Sequence, residues 1–272
     1  MNNAAIGIFD SGIGGLTVMR ALAARLPDEE FIYLGDTARL PYGTKSGDTV
    51  TRYALQAAAA LMRRKVKMLV VACNTASAVA LPRLEEMFAP VPAVGVIVPG
   101  AEAAVAAAPE GPIAIIATEG TVKGGAYVRA IEDHGRAIPV IQQACSLFVA
   151  IAEEGLLEGE IAEAVAHRYL DPVLAAVPTP KALVLGCTHF PALRKTIAKV
   201  AGPDIQLVDS AETTAKAVEK ILQEKNLKRA SGATPSHSFL ATDAPDRFAR
   251  VGEIFLGSPI DPGRVELVDL QS

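Results

Sequence analysis

The chain has 272 residues, of which 50% are hydrophobic and 21% charged, and its formal net charge is -4. This length suits one large domain or two small ones, and the mildly acidic balance excludes a broad basic surface for nucleic acid. Three cysteines are too few, and odd in number, for a disulfide framework, which favours free thiols and a cytoplasmic protein. We expect neither a signal peptide nor a membrane span, because no apolar run is long enough.

The first part of the chain alternates short apolar runs with helical patterns. Ala5–Phe9 predicts a strand, a glycine turn from Asp10 to Gly15 follows, and the apolar spacing then predicts a helix up to Leu26. Phe31–Leu34 predicts a second strand. After it comes a loop, Gly35–Gly47, whose position at a strand end is typical of functional loops and which carries Asp36, Pro41, Tyr42 and Gly43.

Two similar stretches organise the chain: MLVVACNTASAVAL from Met68 and ALVLGCTHFPAL from Ala182. In each, an apolar run typical of a buried parallel strand stops at a cysteine, Cys73 or Cys187. Residues that favour helix starts follow directly, namely Asn74, Thr75 and Thr188. The thiols are therefore predicted at the carboxyl ends of strands, where open α/β sheets bind ligands and helix N-termini favour a thiolate. A lone cysteine there is usually a core residue, but the polar followers favour a functional pair.

The pattern restarts in the second half of the chain. Val94–Val98 predicts a strand, and Pro99-Gly100 after it suggests a hinge or domain boundary. Ile113–Ala117 then leads into TEGTVKGG, which resembles the DSGIGG after the first strand and indicates a degenerate internal duplication. Later predicted strands are Ile138–Gln142, Ala182–Leu185, Gln206–Val208, Ser236–Ala241 and Arg264–Val268, with helices between them.

This alternation predicts an α/β fold of two pseudo-symmetric lobes with mainly parallel sheets flanked by helices. We place residues 1–98 and 207–272 in the first lobe and residues 99–206 in the second, with the active site between them. Two thiols that face one pocket could remove a proton from one face of a carbon and deliver another to the opposite face, which is racemisation. Neither a pyridoxal-phosphate lysine signature nor a cluster with zinc spacing is found, so no cofactor and no metal are predicted.

Asp10 and His189 are the predicted partners of Cys73 and Cys187, because a carboxylate and an imidazole could orient the thiols or shuttle protons. Asp10 could equally cap the first helix, and His189 could be an ordinary hydrogen-bonded histidine. The carbanion-like transition state needs preorganised donors. The candidates are Ser11, Asn74, Thr75, Thr118, Thr121 and Thr188.

The motifs DSGIGGLTV from Asp10, LPYGTKS from Leu40, ACNTASA from Ala72 and LGCTHFPAL from Leu185 together resemble the motif set of bacterial glutamate racemases, and VDSAETTA from Val208 extends the match. The resemblance covers nearly the whole chain. It implies a cofactor-independent enzyme of the aspartate/glutamate racemase superfamily that interconverts L-glutamate and D-glutamate and supplies the D-isomer for peptidoglycan. It also implies two lobes with the site between them, and a homodimer, since dimers are common in the family.

Carried over residue by residue, the resemblance makes Cys73 and Cys187 the two proton donor/acceptors, assisted by Asp10 and His189. Glu153 lies where the family has an assisting glutamate, although Glu154 is adjacent. The implied substrate contacts are Asp10, Ser11, Pro41, Tyr42, Gly43, Asn74, Thr75, Thr118, Thr121, Thr188 and His189. Where many members have Cys-Pro, this chain has Cys145-Ser146, and Cys145 is expected to be a buried structural thiol.

Three alternatives stay open at this point. Gly12, Gly14 and Gly15 after a strand, with Asp36 at the end of the next, suggest a dinucleotide site, but Thr17 stands where the last glycine of that motif belongs. A racemase for aspartate or another amino acid would keep both thiols. Some glutamate racemases are associated with inhibition of DNA gyrase, but the composition gives that role no positive support.

Overall fold

The computed structural model describes residues 2–135, 137–230, 232 and 235–270. Its strands are β1 Ile6–Asp10, β2 Phe31–Gly35, β3 Met68–Val71, β4 Ala93–Gly95, β5 Ile113–Ala117, β6 Val140–Ala144, β7 Ala182–Gly186, β8 Gln206–Asp209, β9 Ser238–Ala241 and β10 Val265–Leu267. They form a six-stranded sheet in the order β10-β9-β2-β1-β3-β4 and a four-stranded sheet in the order β6-β5-β7-β8. Every pairing between these strands is parallel.

Helices connect the strands, as parallel pairing requires. They are α1 Leu16–Arg25, α2 Gly47–Arg63, α3 Asn74–Phe88, α4 Ile97–Ala107, α5 Glu119–Gly124, α6 Ala126–Glu132, α7 Leu147–Glu153, α8 Glu160–Leu174, α9 Arg194–Ala201, α10 Ser210–Glu224 and α11 Pro245–Leu256. Among the residues that the structure describes, no helix has both the length and the apolar character needed to cross a membrane.

The two sheets repeat one arrangement. The strands β2-β1-β3-β4 of the larger sheet have the same spatial order as β6-β5-β7-β8 of the smaller one, so β1 corresponds to β5 and β3 to β7. Cys73 and Cys187 follow the corresponding strands β3 and β7, and Asp10 and Thr118 stand at the ends of β1 and β5. The predicted α/β fold, with parallel sheets flanked by helices, is confirmed.

The hydrophobic core lies on both faces of both sheets. The central strands β1, β3, β5 and β7 are buried at every position, whereas β6, β8 and β10 contain partly or fully exposed residues. One continuous apolar cluster extends between the sheets, from Ile8 through Ala114 to Leu185. Two further clusters fill the outer faces, one around Leu69 and one around Val184. The ends of the central strands are therefore held rigidly where the two sheets meet.

The structure corrects several local predictions. The predicted strand Val94–Val98 is wrong beyond Gly95, because α4 begins at Ile97. Pro99 then occupies the first turn of α4, where a backbone N–H is not needed, so Pro99-Gly100 starts a helix instead of forming a hinge. The TEGTVKGG segment, which resembles the glycine turn after β1, itself contains the short helix α5, and Gly125, whose left-handed φ is 61°, separates it from α6.

The predicted lobe boundaries fall inside elements of secondary structure. Residue 98 lies in α4, which packs against α6, β7 and β8. Residue 207 lies in β8, which pairs with β7 in the smaller sheet. The segment that returns to the larger sheet supplies β9, which pairs with β2, and β10. The division of the chain into two lobes at those residues stays a prediction.

Candidate active site

A small cavity of about 40 Å³ lies where the ends of the central strands of the two sheets approach each other. Both thiols that the sequence singled out line it, together with residues of the glycine turn and of the loop after β2. The lining residues are Ser11, Pro41, Tyr42, Gly43, Cys73, Asn74, Thr75, Thr118, Val149, Cys187, Thr188 and His189. The structure thus brings together residues of five sequence segments that the motifs had marked separately.

Cys73 sits between β3 and α3, at the N-cap of the helix. Its Sγ accepts a hydrogen bond from the backbone N–H of Ala76 at 3.5 Å. Burial raises the pKa of the Cys73 thiol to about 12, the charge of Asp10 adds to this rise, and the N–H of Ala76 opposes it. The Cys73 thiol therefore carries its proton near neutral pH, even though a helix begins directly after it.

Cys187 follows β7, but no α-helix begins at Thr188 as predicted. A 3₁₀ turn, Phe190–Leu193, comes first, and α9 starts only at Arg194. Pro191 accounts for this difference, because it has no backbone N–H to donate to the Cys187 carbonyl four residues earlier. The polar neighbour of the Cys187 thiol is instead His189, whose Nδ1 lies 3.8 Å from Cys187 Sγ.

His189 is the centre of a polar chain that leads away from the cavity. Its Nε2 lies 3.0 Å from Glu153 Oε1, and Glu153 Oε2 accepts a hydrogen bond from Arg247 at 2.7 Å. Burial opposes a charged imidazole, but the contacts with Cys187 and Glu153 outweigh it and raise the pKa of His189 to about 10. Burial likewise opposes ionisation of Glu153, but His189 and Arg247 lower its pKa to about 2. The chain therefore holds an imidazolium beside the Cys187 thiol.

Asp10 is fully buried behind the cavity, at the end of β1. Its Oδ2 accepts the backbone N–H groups of Gly12 and Gly15, each at 3.1 Å, and so holds the glycine turn before α1. Its Oδ1 has no hydrogen-bond partner among the described residues. Burial raises the pKa of Asp10, and the charge of His189 and these N–H groups oppose the rise. Asp10 thus holds the glycine turn without forming the cap of α1 that the alternative interpretation predicted, and one of its oxygens has no partner among the described residues.

Hydroxyl groups from elements of both sheets meet at one side of the cavity. The Oγ1 atoms of Thr75, Thr118 and Thr121 lie 3.0 to 3.2 Å from one another. Asn74 Oδ1 accepts a hydrogen bond from Tyr127 Oη at 2.8 Å, and Asn74 Nδ2 has no partner within the described part of the chain. These groups can donate to an anion that displaces their present contacts.

Asp36 anchors the loop after β2. This buried carboxylate binds Arg39 Nε through both oxygens, at 2.8 and 3.0 Å, and accepts hydrogen bonds from Tyr42 Oη and Thr242 Oγ1. Asp36 is thus occupied by internal partners and fixes the loop that brings Tyr42 and Gly43 to the cavity. The dinucleotide alternative, which needed Asp36 for a ribose, loses its acidic residue.

Most of the predicted residues line the cavity or lie directly behind it. Thr121 and Glu153 contact lining residues without lining the cavity themselves, and Asp10 holds the glycine turn that carries the lining residue Ser11. Glu153, and not the exposed Glu154, is the acidic neighbour of His189. Cys145 is fully buried in the core, where its Sγ lies 3.5 Å from the carbonyl oxygen of Gln143.

Sequence reasoning missed four residues that shape the site. Val149 lines the cavity, Tyr127 contacts Asn74, Phe255 packs edge-on against the His189 ring at 5.0 Å between centroids, and Arg247 binds Glu153. None carries a local signal, because each reaches the site from an element distant in sequence. Within the described ranges, no group of three or more His, Cys, Asp or Glu side chains is placed to hold a metal ion.

Comparison with known proteins agrees with this geometry. The family model described as Asp/Glu/Hydantoin racemase matches residues 6–218. A glutamate racemase of Geobacter metallireducens is 48% identical over 269 residues, covering 98% of this chain and 97% of that protein. One of Syntrophus aciditrophicus is 47% identical over 97% of this chain and 96% of that protein.

A crystal structure of glutamate racemase from Francisella tularensis in complex with D-glutamate shares the fold. It has a TM-score of 0.91 and 38% identity, and covers 100% of this chain and 99% of that chain. Taken with the match of the family model over most of the chain, these relatives show that the protein belongs to the Asp/Glu/hydantoin racemase family and is an amino-acid racemase.

Proposed function

We propose that this enzyme interconverts L-glutamate and D-glutamate without a cofactor, and that Cys73 and Cys187 are its two proton-transferring groups. One observation carries the proposal: the two thiols line the same cavity, each directly after the corresponding strand of one of the two sheets. The substrate is supported by the glutamate racemases to which the chain is similar. Opposed thiols suit a reaction in which the proton leaves one face of Cα and returns on the other.

The surroundings of the two thiols suggest how their roles differ. A protonated His189, held by Glu153, stabilises a thiolate at Cys187. This thiolate can abstract the α-proton of the enantiomer whose Cα–H bond points toward Cys187. Cys73, whose pKa burial raises to about 12, supplies a proton to the opposite face. For the other enantiomer the roles exchange, and Cys73 needs a nearby proton acceptor. The unused Oδ1 of Asp10 is our candidate for that acceptor.

The substrate's charges have matching donors around the cavity. The α-proton of glutamate is weakly acidic, so the carboxylate next to it must be stabilised as charge develops. We assign this role to six donors that line the cavity or contact its lining, namely the hydroxyls of Thr75, Thr118, Thr121, Ser11 and Thr188 and the Nδ2 of Asn74. Next to Pro41, the backbone N–H groups of Tyr42 and Gly43 would bind the side-chain carboxylate, since the Tyr42 hydroxyl already donates to Asp36.

We further propose that the product D-glutamate is used for peptidoglycan and that the enzyme works in the cytoplasm. The three cysteines are free and buried, which is compatible with a reducing compartment. A homodimer is expected from the family resemblance alone.

The deciding experiment is incubation with L-glutamate in D2O of protein freed of metal ions and pyridoxal phosphate. Circular dichroism reports the enantiomeric composition of glutamate, and the α-proton NMR signal reports exchange of that proton with solvent deuterium. We expect loss of optical activity together with deuterium at Cα. If both signals stay constant, the glutamate assignment is wrong, and a panel that includes aspartate, followed by NAD titration, identifies which alternative holds.

The three cysteines provide matched variants for the mechanism. Cys73→Ala and Cys187→Ala should each abolish racemisation while the thermal unfolding curve stays cooperative, because each removes one of two groups that cannot replace each other. Cys145→Ala, a buried thiol outside the cavity, should keep its activity. Near-normal turnover in either of the first two variants would refute the two-thiol mechanism while leaving the substrate assignment intact.

A further inference from the structure

Helix α11 reaches the site from the segment that returns to the larger sheet. Phe248 of this helix is fully buried and packs against Tyr33 and Phe239 of β2 and β9, which fixes the helix on that sheet. From the same helix, Arg247 reaches Glu153 at the end of α7, and Phe255 reaches the ring of His189. Elements attached to the larger sheet therefore contact the polar chain that belongs to the smaller one.

Arg247 completes the hydrogen bonding of a largely buried carboxylate, that of Glu153. Glu153 uses Oε1 for His189 at 3.0 Å and Oε2 for Arg247 at 2.7 Å, so both oxygens are fixed by opposite charges. The side chain of Glu153 is 12% exposed and that of Arg247 is 40% exposed. A carboxylate held at one oxygen only could rotate away from His189 or take up a proton, and the second contact prevents both.

We propose that Arg247 is a positioning residue for the reaction, acting through Glu153 to hold His189 charged and oriented beside Cys187. The inference rests on the proposed two-thiol mechanism, since it assigns Arg247 to the Cys187 half of that mechanism. The residue touches neither the cavity nor a thiol, so its effect must pass through the Glu153 carboxylate. It also joins α11 to α7, so the pair forms only when the elements of the two sheets are together.

Loss of Arg247 should change the pKa of Glu153 in a definite direction. Glu153 is faced by Arg247 from α11 and by His189 from the turn after β7, while His189 is faced by Cys187, Glu153 and Asp10. Removing Arg247 takes one of two positive charges from Glu153 and raises the pKa of its carboxyl group. Protonated Glu153 no longer stabilises the imidazolium, so activity should fall at a higher pH on the acid side.

The test compares Arg247→Met with Arg250→Met, a matched loss of charge on the same helix. Arg250 is exposed and makes no ion pair or side-chain hydrogen bond with the described residues. We expect Arg247→Met to lower kcat on the order of tenfold with KM little changed, since general acid–base assistance as a whole contributes about 10²–10⁴-fold. Arg250→Met should match the wild type, and Arg247→Lys should recover part of the activity because it keeps the charge.

Isotope effects separate positioning from general damage. Because the two enantiomers have equal free energy, kcat/KM must fall equally in both directions. With α-deuterated substrates, however, the isotope effect should rise for the enantiomer deprotonated by Cys187 and fall for the other. Equal changes of the isotope effect for the two enantiomers would overturn the proposal. Unchanged kinetics in Arg247→Met, while the wild type racemises glutamate, would overturn it as well.

A measurement without substrate distinguishes this proposal from the proposed function. Carboxyl 13C NMR of Glu153, assigned with Glu153→Gln, follows its titration in the wild type and in Arg247→Met. The pKa of Glu153 should rise in Arg247→Met and stay unchanged in Arg250→Met. An unchanged Glu153 titration refutes the coupling even if the enzyme is a glutamate racemase. A shifted titration in a protein that does not racemise glutamate refutes the proposed function alone.

Discussion

Replacing Gly14 by alanine should damage the reaction much more than the fold. A Cβ at this position would lie 2.4 Å from His189 Nδ1, 2.5 Å from His189 Cε1 and 2.7 Å from Thr188 Oγ1. Ordinary contacts of a Cβ begin near 3.4 Å, so the imidazole would have to retreat by about 1 Å. The glycine turn and the ring that serves Cys187 are therefore in contact only because residue 14 has no side chain.

The ring has little room for this retreat. Glu153 lies 3.0 Å from Nε2, and Phe255 packs edge-on with its centroid 5.0 Å from that of the ring. We therefore expect the displacement to carry His189 away from Cys187, and a misplacement of about 1 Å at a reacting group costs roughly 10²-fold in rate. The cost in stability is that of an overpacked contact, about 1–3 kcal/mol.

The assay is the rate of loss of optical activity of glutamate, with urea unfolding measured in parallel. Gly47→Ala is the matched control, because a Cβ at the start of α2 would meet Val79 at an ordinary 3.7 Å. This variant should keep full activity and gain at most about 1 kcal/mol from the reduced freedom of the unfolded chain. If Gly14→Ala keeps its rate within twofold, close approach of the turn to His189 is not needed for catalysis.

Two further variants test the charges. Glu153, with its pKa lowered from 4.5 to about 2, stabilises the fold above pH 4.5, and this contribution is lost as the pH falls toward 2. His189, raised from 6.5 to about 10, contributes fully below pH 6.5 and loses this as the pH rises through 10. Glu153→Gln should therefore reduce the change of Tm with pH at both the acid and the alkaline end, whereas Glu154→Gln, at an exposed position, should not. Parallel Tm–pH curves for the two variants would contradict the pairing. Lys67→Met should cost about 3–5 kcal/mol in urea unfolding by leaving Glu29 charged and unpaired, since both side chains are 1% exposed, and a loss below about 1 kcal/mol would refute this.

The sequence predicted the parts of the fold that depend on local pattern. Apolar runs that stop at Asp10, Cys73 and Cys187 are buried central strands, because only a strand covered on both faces needs a continuous run of such residues. The same rule misplaced Ile97 and Val98, which are β-branched but begin α4. Propensity is a weak guide there, since the packing of α4 against β7 and β8 decides the conformation.

The motifs predicted most residues that line the cavity but missed those that approach it from distant elements. Thr188 and His189 follow a strand end and could be placed from sequence, whereas Arg247 and Phe255 lie on an amphipathic helix more than fifty residues away. On such a helix an arginine is ordinarily a solvated charge. Only the packing of Phe248 on the larger sheet orients α11 so that Arg247 meets Glu153.

The small size of the cavity bears on how the substrate binds. A volume of about 40 Å³ holds only a few water molecules, whereas glutamate is several times larger than water. The cavity is therefore smaller than the proposed substrate, which would have to displace contacts to bind. The contacts at hand are polar and join elements of the two sheets, notably the hydroxyls of Thr75 and Thr118.

These contacts are of a kind that a dicarboxylate can replace. Gly43 lies so close to Thr118 that a Cβ would come within 2.8 Å of Thr118 Cβ, so the loop after β2 and the turn after β5 are in direct contact. The hydroxyls of Thr75 and Thr118, now bonded to each other, would be free to bind substrate carboxylates once these elements separate. The Glu153–Arg247 pair joins α7 to α11, so we expect it to break in the same movement and to form again when the site closes around the substrate. Under the proposed two-thiol mechanism, assembly of the His189 chain beside Cys187 would then depend on a filled site.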